Sequence, residues 1–547
     1  MLNFSRKLFF VRKYFSFVAT CQQRTFFRGS DKKKDDMVCK QDSKSTNCLF
    51  DMCSLNPDIQ QPCVIIIGAG MAGLSAAKRL VQCGITNFKI LEASERPGGR
   101  IKTCWLGDAA VEMGPDVING ASIANPVYTM AAQEGLFTPP LTRLSPQTTM
   151  FFTSDGRAID VDLANKASAT FKNLEAKAAN LFFVEKKIHN QTLSAYLDSL
   201  IVEELKKLPE IERYDTARIF YGMSNGLKSK IGEDLDKVSS TIFGSLHSLP
   251  GGDVKIPLGM GGLLAPLLRN LPRCAVHYCK PVQCIRWGTA GSGVPRVVVR
   301  CCDGEEFPAD YVIVTVSLGV LKNKADLLFC PGLPAGKMEA IRNLGFGNLN
   351  KIFIYQESPF WVPGTGGIRF AWSPQELAER GDWVKGISGL SGVEGSGKVL
   401  QATVAGEEAR IMESKSDAEL VADLNKVIQS FMGNSGIKLS KDIMRTDWST
   451  NQFFCGAFTY LGIDSTVAHI ADLANPLPGE CDEIPPIILF AGEHTSIKYF
   501  STLHGARESG IREADRIVSL TKKLGGPPFR RVCIPCKTRP SHFVAAS

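Results

Sequence analysis

The 547-residue sequence predicts an α/β protein in which a parallel-sheet domain is interleaved with a second, α+β domain. Three observations carry this expectation. Residues 63–67 (CVIII) are a continuous apolar run rich in β-branched residues, the pattern of a strand covered on both faces. A glycine turn, a helical stretch and a second strand at Phe88–Leu91 follow, which makes one β-α-β unit. Residues 160–245 then change character, with apolar residues at helical spacing in Ala164–Phe183 and Leu193–Leu205.

Strand-like runs return at Arg296–Arg300 and Tyr311–Val316, and residues 351–355 (KIFIY) and 399–404 read as a second sheet. A last helix, starting near Leu503 with Thr502 as its N-cap, returns to the first domain. The expected division is a disordered leader at 1–60 and a first domain built from 61–150, 251–345 and 461–525. A second domain comes from 151–250 and 346–460, and a flexible tail covers 526–547.

Composition excludes several classes. The net charge of +8 is mild and concentrated in the first 40 residues and the tail, so nucleic acid is not an expected partner. No uncharged apolar run reaches the length of a membrane span, since glycines break the longest candidate, Cys63–Ala77. Seventeen scattered cysteines suit reduced thiols rather than a disulfide framework. The CxxC of Cys533 and Cys536 has only His542 nearby, too few ligands for a metal. The first 30 residues hold Arg6, Lys7, Arg12, Lys13, Arg24 and Arg28 without an acid, a composition that suits a mitochondrial transit peptide. Those residues do not fall on one helical face, and a basic leader on a cytoplasmic monomer is the competing reading. The terminal Ala545-Ala546-Ser547 is not the peroxisomal tripeptide.

The chemistry begins at Gly68-Ala69-Gly70-Met71-Ala72-Gly73. In a strand-to-helix turn, Gly68 permits the bend, Gly70 lets the backbone approach a pyrophosphate, and Gly73 lets the helix pack against the strand. The helix N-terminus beyond, through Ala72, then faces phosphate with its free N–H groups. Glu92 ends the next strand, placed to accept hydrogen bonds from a ribose hydroxyl. Together these indicate a Rossmann-like dinucleotide site. A second glycine turn, Arg96-Pro97-Gly98-Gly99-Arg100, follows at once, and Arg100 can pair with phosphate.

This pair of glycine turns resembles the flavin-dependent amine oxidases, and YVIVTVSLGVLK at 311–322 resembles the animal polyamine oxidases, including the spermine oxidases. The resemblance covers about residues 62–520, is strong in the flavin segments and weak in the helical insert. It implies an FAD-binding domain interleaved with a substrate-binding domain. It also implies that Pro281-Val282 meets the adenine, Asp116-Val117 pass near the flavin ring, and Glu493 of LFAGE contacts the ribityl or pyrophosphate. The backbone amides of Thr502 and Leu503 would face the pyrimidine edge of the ring, where a helix N-terminus favours negative charge. The KYFST run at 498–502 lacks the cysteine that attaches FAD in some relatives, so a noncovalent cofactor is expected.

Lys351 opens an apolar strand, an unusual place for a lysine. The resemblance gives it a water held against flavin N5 and a part in reaction with dioxygen. A strand-end lysine that snorkels to solvent is the alternative. Trp361, Tyr499 and Phe500 are candidates for an aromatic substrate wall. Three departures stand out. Asn119 occupies a turn where polyamine oxidases carry His or Glu. SNGLKSK at 224–230 has two lysines and no acid, which would repel a polycation unless Glu233, Asp234 or Asp236 reaches in. Cys455-Gly456-Ala457-Phe458 replaces an Arg-Gly-Ser-Tyr run.

The expected activity is FAD-dependent oxidation of a small-molecule amine by dioxygen, a polyamine or acetylated polyamine leading. A different amine, or an FAD-binding protein without turnover, are the alternatives that the altered substrate half leaves open.

Overall fold

The strand β1 (Val64–Ile67) is fully buried, and alternate residues serve two different cores. Val64 and Ile66 pack into one hydrophobic cluster, Ile65 and Ile67 into another on the opposite face. That two-sided burial is why the run is continuously apolar rather than alternating. After β1 come the helix α1 (Met71–Gln82) and β2 (Phe88–Leu91), which pairs parallel with β1. The computed structural model describes residues 55–138, 150–184, 191–288, 297–361, 367–379, 381–479 and 485–528.

The same sheet takes β3 (Val276–His277), β4 (Tyr311–Val314) and β5 (Ile488–Phe490). Its order is β5-β4-β1-β2-β3, all parallel. Three distant stretches of chain therefore build one five-stranded sheet. A second sheet of six strands orders as Ile443–Arg445, Leu349–Tyr355, Val399–Ala405, Gly389–Gly392, Ile368–Ala371 and Met150–Thr153. It is antiparallel except for its last pair. A smaller sheet joins Val282–Trp287 and Val297–Cys301 beside the first.

The helical stretch forms α2 (Val161–Asn180), α3 (Leu193–Lys206) and α4 (Glu210–Ile231), which share one apolar cluster. The last helix, α5 (Leu503–Leu524), is capped by Thr502, whose hydroxyl accepts from the amide of Gly505 at 3.0 Å. It lies along α1 so closely that a Cβ on Gly510 would stand 2.1 Å from the carbonyl oxygen of Ala72. An Arg79–Asp515 ion pair of 2.6 Å fixes the same contact.

Two expected boundaries need correction. The expected leader over 1–60 reaches too far: Leu55 is buried, and its amide donates to Cys83 O at 2.9 Å. Gln61 extends this seam with a 2.8 Å bond to Gly84 O. The helix α5 also does not run straight into a flexible tail, because Gly526, Pro527 and Pro528 are buried. The remaining leader and tail, with the CxxC, lie outside the described residues.

Candidate active site

A cavity of about 1490 Å³ runs from the glycine turns to the second sheet. It exceeds the roughly 300–1,000 Å³ of a pocket for one drug-sized ligand, so it has room for a cofactor and a substrate together. Gly68, Gly70, Ala72, Glu92 and Arg100 line it, as do Asp116, Val117, Asn119, Val282, Lys351, Glu493, Thr502 and Leu503.

Local geometry explains the glycines. Gly68 has φ +106°, a turn that L side chains resist. A Cβ on Gly73 would stand 2.0 Å from Gly68 O, so Gly73 is a packing residue and does not line the cavity. A Cβ on Gly70 would meet no protein atom within 4 Å. Nothing in the fold requires glycine there, and the space it leaves open belongs to the cavity.

Glu92 holds the turn from behind. One carboxylate oxygen accepts from Ala69 N at 2.7 Å, the other from Ser94 N at 2.9 Å and the Ser94 hydroxyl at 2.6 Å. Glu493 is buried under the far end of the cavity, accepting from Arg100 at 3.1 Å, Thr459 Oγ1 at 3.1 Å and Ser501 N at 2.9 Å. Burial works against its ionisation, but the Arg100 guanidinium, His494 and the Ser501 amide together more than offset it and hold the carboxyl below its ordinary range. Arg100 also donates to Ala457 O at 2.6 Å, so the altered 455–458 run still supplies a backbone acceptor. No acceptor among the described residues meets the amides of Thr502 and Leu503, the first turn of α5 on the cavity wall.

Lys351 is 4% exposed on the strand Leu349–Tyr355. Its Nζ donates to Glu112 O at 3.1 Å and Gly114 O at 2.7 Å, with Asp116 Oδ2 at 3.6 Å. It does not snorkel. Burial pushes the ammonium below its ordinary pKa, while Asp116 and Glu112 oppose the shift. Glu112 itself is pushed up to about 7 by burial.

The chain matches the family described as flavin containing amine oxidoreductase over residues 71–518. It is 34% identical over 493 residues to human "Peroxisomal N(1)-acetyl-spermine/spermidine oxidase", covering 84% of this chain and 95% of that one. It belongs to the flavin-containing amine oxidoreductases. Rice "Polyamine oxidase 1" is 30% identical over 504 residues, covering 84% of this chain and 97% of that one. A solved double mutant of putrescine oxidase, redesigned in cofactor binding, superposes with TM-score 0.60 at 18% identity. It covers 84% of this chain and 99% of that one, a likeness of fold. The human relative is named as peroxisomal, and nothing in these relatives supports a mitochondrial address. No helix among the described residues is long and apolar enough to cross a membrane.

The amine oxidase cofactor is FAD, and the residues present fit it. The open space at Gly70, the acceptor-free amides of Thr502 and Leu503, and the anchored carboxylates of Glu92 and Glu493 match a phosphate approach, a ring edge and hydroxyl contacts.

The expected aromatic wall needs correction. Phe500 is buried in the core beneath the parallel sheet, and Trp361 packs edge-on to Phe360 at 5.0 Å against the second sheet's core. Neither lines the cavity. Tyr499 stands one layer back, its ring against His247 and His504, which do. The two insert lysines are also less repulsive than their sequence suggests. Lys228 is buried between Asp234 and Glu408, each at 2.6 Å, and Lys230 meets Glu175 at 2.7 Å. Glu233, Asp234 and Asp236 do not reach the cavity. Besides Glu92, Asp116 and Glu493, a carboxylate that does is Asp253, which accepts from Asn119 Nδ2 at 3.1 Å. Sequence reasoning missed it, and missed Gln401 and Thr403 beside Lys351. A signal existed for the last two: they are polar and two apart in an otherwise apolar strand, hence on one face.

Proposed function

We propose that this chain oxidises a polyamine or acetylated polyamine to an imine, with dioxygen reduced to hydrogen peroxide, and that water hydrolyses the imine to an aldehyde and an amine. The observation that carries the reading is Lys351, a buried, hydrogen-bonded lysine on the wall of the same cavity that holds the dinucleotide cradle. Noncovalently bound FAD supplies the two-electron acceptor. The chain's own groups do the rest. Lys351 Nζ is held by two carbonyls, and its remaining N–H stands beside Asp116 at the cavity wall. The first turn of α5 presents N–H groups to charge that develops opposite it. Asp253 and the Asn119 carbonyl offer acceptors to an amine, and the carboxylate supplies the charge that Asn119 lacks.

The segments 61–150, 251–345 and 461–525 serve as the cofactor domain, and 151–250 with 346–460 as the substrate domain. Strand membership in the two larger sheets supports this division. Peroxide release from a panel of polyamines, acetylated polyamines and simple monoamines tests the reading. Flavin-loaded protein that releases peroxide with none of them overturns it. Release from monoamines alone keeps the oxidase and overturns the polyamine.

A further inference from the structure

Lys351 Nζ meets one short stretch of chain at three points: the carbonyls of Glu112 and Gly114, at 3.1 and 2.7 Å, and the Asp116 carboxylate, at 3.6 Å. That stretch is fixed from behind. Met113 N donates to Lys102 O at 2.9 Å, Met113 O accepts from Trp448 Nε1 at 3.1 Å, and a Cβ on Gly114 would stand 1.9 Å from Arg100 O. The two carbonyls belong to the backbone and stay whatever side chains the stretch carries. Asp116 is the one side chain of the three, and it lines the cavity beside Lys351.

Counting donors separates the two forms of the lysine. A neutral amine has two N–H groups, which the two carbonyls use up, and a lone pair that is left facing a carboxylate. An ammonium has three N–H groups and turns the third toward that carboxylate. Asp116 acts here by its charge, since 3.6 Å is an ion-pair distance and long for a hydrogen bond. Burial works the other way and favours the neutral amine. The remaining charges around Nζ decide less. Glu112 turns its carboxyl away, to Thr103 Oγ1 and Met260 N, each at 2.7 Å. Burial pushes that carboxyl up to about 7, so it is partly protonated near neutral pH. Lys255 opposes the ammonium and is tied to Glu394 at 3.6 Å.

We infer that Asp116 is a positioning residue whose charge keeps Lys351 an ammonium at neutral and mildly alkaline pH. Its consequence for catalysis rests on the proposed function: dioxygen turns negative as electrons reach it, and a fixed cation on the cavity wall favours that charge. Replacing the residue at 116 therefore changes the pH range of the reaction with dioxygen without touching the cofactor cradle.

The test follows Lys351 by nuclear magnetic resonance in full-length, flavin-loaded protein carrying carbon-13-labelled lysine, with its signal assigned by loss in Lys351→Met. Asp116→Asn keeps the shape and an acceptor but drops the charge; Asp116→Glu keeps the charge. In Asp116→Asn the proton affinity of Lys351 is expected to fall by about tenfold or more, the effect of losing an opposite charge at this range. Asp116→Glu recovers most of it. The same proteins, photoreduced without any amine and mixed with oxygenated buffer, are expected to react more slowly as pH rises, with the slowing set in at lower pH in Asp116→Asn. A Lys351 titration in Asp116→Asn that matches wild type overturns the inference. So does an Asp116→Glu protein that behaves like Asp116→Asn, since shape and not charge is then at work. If the titration moves as expected and the reaction with dioxygen ignores it, Asp116 holds the proton as inferred, and the part given to Lys351 in the proposed function falls.

Discussion

Two glycines three residues apart should fail in opposite ways. Gly70 is the N-cap of α1, at φ −78° and ψ −174°, a conformation any residue adopts, and a Cβ there meets no protein atom within 4 Å. Gly70→Ala loses the mild N-cap preference for glycine, up to about 1 kcal/mol. It regains about 0.4–1 kcal/mol by restricting the unfolded chain. Folding stability should therefore change by less than about 0.5 kcal/mol. The added methyl instead stands where the backbone approaches the pyrophosphate. Overpacking of that kind costs about 1–3 kcal/mol, which is roughly a five- to hundredfold loss of FAD affinity. Gly73→Ala does the reverse. Its Cβ would lie 2.0 Å from Gly68 O and 3.2 Å from a methyl of Ile66, so the α1–β1 packing must shift before any cofactor arrives. A loss of about 3 kcal/mol or more is expected in the apoprotein. Thermal melts of the apoproteins, with flavin absorbance after titration with FAD, separate the two effects. A Gly70→Ala protein that binds FAD like wild type would refute the placement of the pyrophosphate at this turn. A Gly73→Ala apoprotein that melts at the wild-type temperature would refute the packing argument.

Lys351→Met keeps length and apolar volume but removes the head that bonds Glu112 O and Gly114 O. FAD binding should survive, and reaction with dioxygen after anaerobic reduction should slow by about 10²-fold; wild-type rates in both half-reactions would make Lys351 structural. Glu92→Ala removes the acceptor that anchors Ala69 N. FAD affinity should fall about ten- to hundredfold, measured by dilution, from the loss of about 1.5–3 kcal/mol in charge-assisted hydrogen bonds. A chain starting just before Leu55 should melt like the whole protein. One starting at Gln60 should lose about 1–2 kcal/mol with the buried Leu55 side chain, which a melting curve reads directly. His494 is buried and its pKa is pushed down to about 4. A lowered folded pKa means that stability present above the ordinary histidine value of about 6.5 is lost as pH falls from there to about 4. His494→Gln should remove about 2–3 kcal/mol of that acid-side loss in denaturant titrations, and an unchanged acid limb would contradict the burial argument.

The cofactor half of this chain was legible because its chemistry is local. Gly68 to Gly73, Glu92 and the cap at Thr502 each act within a turn or two of sequence, where strand, glycine and helix signals coincide. The substrate half was not, because its wall is assembled across the fold. Asp253 becomes a cavity residue by pairing with Asn119, far away in sequence. Lys228 reads as a repulsive charge until Glu408 and Asp234 close on it. The aromatic pair at Phe360-Trp361 looks like a wall from composition alone, yet both rings face a core that needs large apolar side chains just as much. Burial and lining make the same demand on residue type, and only topology separates them.

The five-stranded sheet has a temporal consequence. Its inner strand β4 needs β5, and α1 needs α5, yet β2 and β5 are separated by almost 400 residues of chain. At about 5–20 residues per second of synthesis, α1 waits roughly 20–80 s for its last partner, α5, and β4 waits roughly 10–35 s for β5. During that interval an apolar strand edge and the small-residue face of α1, including Ala72 and Gly73, stand uncovered. The cofactor cradle at β1–α1 is thus the first part made and among the last completed, so FAD cannot serve as an early folding nucleus for this chain. The open edge of β4 is covered only once residue 490 emerges.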